Sequence, residues 1–167
     1  MPRRTALIVP VPEAEPAVSA LRREHDPSAA LGVPAHITIL VPFAPPEEVD
    51  EQGLADLLGL FPAFDFVLDR IERFEDGEGA VWLHPQPSAP FVDLTAAVEQ
   101  RWPEYPPYEG AFDEPIPHLT ISAWPVDANV PLPIACRART VLLIEESEED
   151  GRWSERRAFP LRDQGVA

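Results

Sequence analysis

The chain has 167 residues, with 29 Asp and Glu against 13 Arg and no Lys, giving a formal net charge of −16, and 45% of it is hydrophobic. That is enough apolar material for one packed domain and excludes wholesale disorder, while the acidic balance argues against sequence-independent binding of long duplex nucleic acid, which needs a basic face. A single cysteine, Cys136, excludes an internal disulfide and a cysteine-rich zinc site. No apolar run approaches the roughly 20 residues of a membrane span, and the short run from Ala6 to Val11, broken by Pro10, does not read as a signal peptide. A cytoplasmic monomer without a membrane partner is expected.

The 22 prolines fall mostly between periodic segments and mark element ends. Ala6 to Pro12 reads as a short apolar strand, and Pro16 to about Glu24 as a helix that turns Val18 and Leu21 inward, stopped at His25-Asp26-Pro27. A strand follows from Ala35 to Phe43, then a helix from Glu47 to Phe61 with Val49, Leu54, Leu57, Leu58 and Phe61 near one stripe. Phe64 to Phe74 and Ala80 to His84 form a predicted hairpin around Asp76-Gly77-Glu78-Gly79. A second series opens with a helix from Phe91 to Trp102, a loop from Pro103 to Pro117, and strands at His118 to Trp124, Arg139 to Glu146 and Arg152 to Leu161. The last two are joined by the acidic turn Ser147 to Gly151, a solvated face. The elements recur in two halves, 1–84 and 85–167, which implies a duplicated α+β unit forming one domain over 1–167, with strands free to exchange between lobes. Pro131 and Pro133 stand where the second half needs a counterpart of the helix at Glu47 to Phe61, so that helix is expected to be lost or shortened.

Two of the four histidines share a local pattern, Ala35-His36-Ile37-Thr38-Ile39 and Pro117-His118-Leu119-Thr120-Ile121. In a strand, positions i and i+2 share a face, so His36 lies with Thr38 and His118 with Thr120 while the apolar residues enter the other side. One such motif alone is adequately explained as a core or sheet-face histidine. The pair has a chemical use if the two strands face one another across a cleft. Opening a phosphodiester needs a base for the attacking oxygen and an acid for the leaving oxygen, and imidazole serves as either near neutrality. Thr38 and Thr120 would donate to the non-bridging oxygens. No metal or cofactor is required, and a zinc site at His36 and His118 lacks a third ligand cluster. His25 and His84 have no comparable partner and read as surface or element-end residues. Phe43, Trp82, Tyr105, Tyr108 and Trp124 are aromatics that could stack on a base, of which Phe43 and Tyr108 are taken as substrate-binding candidates; Arg70, Arg73 and Arg101 are candidate phosphate contacts, though each also reads as part of a solvated face.

With the stretch from Arg23-Glu24-His25-Asp26-Pro27 through Gly32-Val33-Pro34 to Phe43, and Phe112 to Ser122, the two motifs resemble the two-histidine (2H) phosphoesterase superfamily, in its bacterial 2′-5′ RNA ligase-like and cyclic phosphodiesterase branch. The resemblance covers nearly the whole chain. It implies a bilobal fold of two antiparallel sheets flanking a central cleft with helices outside, His36 and His118 as acid and base, Thr38 and Thr120 as phosphate ligands, and metal-independent opening of a cyclic phosphodiester. The implied substrate is a 2′,3′-cyclic nucleotide, ADP-ribose cyclic phosphate or an RNA end bearing a cyclic phosphate, and the acidic surface favours a small nucleotide. A 2′-5′ RNA ligase or RNA-end processing enzyme, and a non-catalytic nucleotide-binding module, are the alternatives.

Overall fold

A computed structural model describes residues 3–110 and 115–163. The strand Thr5–Pro10 (β1) is buried from Thr5 through Val9, as a strand covered on both faces must be. It lies antiparallel between His36–Leu40 (β2) and Thr140–Glu146 (β7), and Trp153–Pro160 (β8) completes the sheet in the order β2-β1-β7-β8. A second antiparallel sheet has the order β5-β4-β3-β6, built from Phe64–Arg73 (β3), Val81–Gln86 (β4), Leu119–Ser122 (β5) and Ile134–Ala138 (β6). Each sheet therefore takes two strands from each half of the chain. In both, the strand bearing a histidine motif is an edge strand, and the two edges, β2 and β5, pack alongside one another.

One hydrophobic cluster runs through both sheets, joining Leu7, Ile37, Leu68, Leu83, Leu119 and Leu143. Helix Glu15–His25 (α1) packs on β5, and helix Ala89–Arg101 (α4) buries Phe91, Leu94 and Val98 at helical spacing beside β2, where Thr95 donates its hydroxyl to the Ile39 carbonyl at 2.7 Å. A single turn, Pro27–Ala30 (α2), is capped by the Asp26 side chain.

Two differences from the sequence reading have local causes. The helix expected from Glu47 to Phe61 is divided into a 3₁₀ turn, Pro46–Glu48, and a shorter helix, Glu51–Leu58 (α3). Val49 is extended between them, and Asp50 caps α3 by accepting the Gly53 N–H at 2.9 Å, so the cap fixes the start later than the apolar stripe suggested. Strand β6 was not anticipated, because Pro131 and Pro133 precede it and only Cys136 and Ala138 of its five residues are buried. It gains its identity from pairing along Phe64 to Leu68 of β3. Residues 123–133 carry no helix, as the prolines there required. In the hairpin turn, Gly77 and Gly79 have positive φ, and a Cβ on Gly79 would meet Pro125 at 2.9 Å, so glycine is required there on both counts.

Candidate active site

Alternation along β2 buries Ile37 and Ile39 and leaves His36 and Thr38 partly exposed on the other face. Around β5 the same holds: Leu119 and Ile121 are buried while His118 and Thr120 are only half-covered. The four polar residues of the two motifs thus lie on the open faces of two adjoining edge strands.

The rings are held alike. His36 Nδ1 lies 2.7 Å from the Pro34 carbonyl and His118 Nδ1 lies 2.5 Å from the Ile116 carbonyl, each two residues upstream. A carbonyl only accepts, so Nδ1 carries the proton in both, and Nε2 is the nitrogen free to take or give a proton. Burial pushes the His36 pKa down to about 4; the hydrogen bond to Pro34 works against this, the Arg22 guanidinium adds to it, Asp26 opposes it, and the nearby His118 lowers it further. His118 is also lowered, chiefly by burial, with the Ile116 carbonyl opposing. His118 thus acts on His36, whereas His118 itself is shifted by burial and the Ile116 carbonyl. No hydrogen-bond partner among the described residues engages the hydroxyl of Thr38 or Thr120.

His118 is flanked by rings. Phe74 meets it edge-on with centroids 5.0 Å apart and Trp82 at 5.8 Å, and Trp82 stacks on Phe74 at 5.0 Å. Trp82 is 6% exposed and its indole N–H is buried without a hydrogen-bond partner among the described residues. His84, set aside above as an element-end residue, is on β4 itself, whose Leu83 pairs with Leu119. Its Nδ1 is held by Asp69 at 2.8 Å, and the hydrogen bond depresses the Asp69 carboxyl against its own desolvation. Nothing in the sequence ties these two together, since a register shift between Leu68 and Arg70 brings Asp69 to His84.

The remaining candidates divide. Phe43 is a correction: it is 5% exposed and packs edge-on against Trp102 and Tyr105 at 5.6 and 5.5 Å, so it is core and offers no face to a base. Tyr105 shares that packing. Tyr108 is half-buried in a left-handed turn with Glu109, its N–H donating to the Val41 carbonyl just past β2 at 2.7 Å, and burial raises its hydroxyl pKa. Trp124 packs edge-on against His25 at 5.9 Å. Arg70 is paired with Glu72 and Asp69, Arg73 donates to the Val126 carbonyl, and Arg101 lies over the Trp102 ring with Asp50 nearby, so each has a partner within the fold. Phe112, the first residue of the second stretch, lies outside the described residues. Among the described residues, no three His, Cys, Asp or Glu side chains gather where a cation could be held, and no helix is long and apolar enough to cross a membrane.

Residues 10–154 match the family model of the 2′-5′ RNA ligase superfamily. The chain belongs to that superfamily. It is an enzyme of the 2H phosphoesterase, 2′-5′ RNA ligase-like type. Among solved structures it is similar to E. coli LigT in its apo form, at 21% identity and TM-score 0.67, over 96% of this chain and 98% of that one. It is also similar to a structure described as a phosphoesterase, at 22% identity and TM-score 0.65, over 96% and 99% of the two chains. A protein of Thermus thermophilus, TT0787, matches at 19% identity and TM-score 0.61, over 97% and 100%. No curated protein matches. The expected α+β architecture of two antiparallel sheets is the fold that these structures share.

Proposed function

We propose that the protein is a metal-independent phosphoric diester hydrolase that opens a small cyclic phosphodiester, a 2′,3′-cyclic nucleotide or ADP-ribose cyclic phosphate, with His36 and His118 as its acid and base. The observation that carries this is the matched pair of imidazoles on adjoining strands, each with Nδ1–H fixed to a carbonyl and Nε2 left as the reacting nitrogen. One Nε2 takes a proton from water as its oxygen bonds to phosphorus; the other, protonated, gives its proton to the ribose oxygen as that P–O bond breaks. Both rings rest neutral at pH 7, because burial lowers both pKa values. A phosphodiester anion bound between them raises both, so that the ring acting as acid takes up its proton from solvent. Thr38 and Thr120, with hydroxyls otherwise unengaged, donate to the non-bridging oxygens as charge builds there. Tyr108, at the end of β2, flanks the nucleoside portion.

A small ligand is supported by E. coli LigT, of the same fold, which has been crystallised with 3′-AMP, NADP+, ATP and phosphate. The charge of −16 favours it over a strand of RNA. The test follows a 2′,3′-cyclic nucleotide by phosphorus NMR in excess EDTA. Conversion to a single monophosphate by wild type, reduced at least about 100-fold in His36→Ala and His118→Ala, is expected. Near wild-type turnover in either variant, or loss of turnover on chelation, overturns the mechanism. Joining of RNA ends in the same preparation would favour ligation.

A further inference from the structure

Helix α1 carries a buried ion pair that the mechanism above does not use. Arg22 is 3% exposed and Asp26 7%. Such a pair is weak evidence of stabilisation, since desolvation offsets its attraction, but its connections run toward one catalytic candidate. Arg22 Nε–H donates to Asp26 Oδ2 at 3.1 Å, and Nη2 donates to the Ser28 hydroxyl at 3.2 Å and to the Val33 carbonyl at 3.0 Å. The second Asp26 oxygen accepts from the N–H and hydroxyl of Ser28 at 3.0 and 2.9 Å. At the other end of α1, Glu15 Oε2 accepts the Ala35 N–H at 3.4 Å, and the Ala35 carbonyl accepts from Val11 at 2.9 Å. Residues 33 and 35 are therefore both tied down. Between them stands Pro34, with φ set by its ring, and its carbonyl is the acceptor that decides which nitrogen of His36 is protonated.

The second motif is held differently. The end of α1 reaches it too, through the Ala123 N–H donating to the His25 carbonyl at 2.8 Å. The charged and titratable groups acting on His36 are Arg22 on α1, Asp26 just past its end and His118 beside β5, whereas His118 is governed by burial and the Ile116 carbonyl. Motifs that match in sequence are thus unequal in their supports.

We infer that Arg22, backed by Asp26 and aided by Glu15, is a positioning residue for the phosphodiester chemistry: by fixing Val33 it aims the Pro34 carbonyl and holds His36 in the tautomer that leaves Nε2 to react. This rests on the reading of His36 as a catalytic residue. A guanidinium suits this place, because it donates in one plane from two nitrogens, Nε to Asp26 and Nη2 to Ser28 and Val33, whereas an ammonium's three donors share a single nitrogen.

Long-range proton–nitrogen NMR of the histidine rings in the ligand-free protein reads tautomer and titration without turnover. Wild type is expected to show His36 as a single Nδ1–H tautomer, neutral down to about pH 5. Arg22→Gln gives mixed tautomers, a His36 titration higher by about one unit because Asp26 is left unopposed, and about a tenfold loss of kcat with little change in KM. Arg22→Lys restores the titration but not the single tautomer. Glu15→Ala, at a less buried position, shifts the tautomer in the same direction and keeps the test available if Arg22→Gln does not fold. A folded Arg22→Gln, or a Glu15→Ala where Arg22→Gln fails, with the wild-type tautomer and kcat overturns the proposal. Tautomer changes as expected, in a protein whose wild type turns over no cyclic phosphodiester, support the tie to His36 and remove the catalytic reading instead.

Discussion

The depressed pKa of His36 has a consequence for stability that needs no substrate. In the unfolded chain an imidazole titrates near 6.5, whereas in the fold burial lowers it to about 4. Between those values the unfolded state binds more protons, so stability is fully present above about pH 6.5 and is lost as pH falls toward 4. The full shift corresponds to about 3 kcal/mol, and from pH 7.5 to 5.0 the loss is about 2 kcal/mol, a window above the isoelectric point of about 4.5. Urea denaturation of wild type and His36→Asn across that range separates this from the carboxylates, which titrate in both proteins. Wild type is expected to lose about 2 kcal/mol more than the variant between the two pH values, whatever their offset at pH 7.5. Parallel stability curves would refute a desolvated His36.

Other consequences follow from particular contacts. Thr38→Val and Thr120→Val, close in shape but lacking the hydroxyl, are expected to lower kcat by about 10-fold to 100-fold with the fold intact by circular dichroism; unchanged kcat in both would remove the threonines from the phosphate. Phe91 is 1% exposed and packs edge-on against Phe64 and Phe66, each 5.0 Å away, so Phe91→Ala should cost about 3–5 kcal/mol in urea unfolding. A cost under about 1 kcal/mol would show that the ring is not central to the core. Cys136 is buried with its thiol pushed up to about 12, so alkylation at pH 8 should be slow in native protein and fast in urea, with equal rates contradicting its burial.

What the sequence determined by itself was whatever depends on neighbours within a few residues. The two-residue alternation around His36 and His118 put imidazole and threonine on one face of each strand and apolar residues on the other. The prolines at 131 and 133 excluded a helix there. Only the tertiary structure decided what depends on partners distant along the chain. Strand β6 exists because β3 offers it a ladder, and Phe43 left the list of stacking residues because Trp102 and Tyr105 close over it. Asp69 reached His84 through a shift in register, and Arg22, one more arginine in a chain with thirteen, proved to be the buried clamp on Val33. A periodic pattern states which face a side chain takes; hydrogen-bond partners and local dielectric come from chain segments that meet only when the two sheets pack around one core.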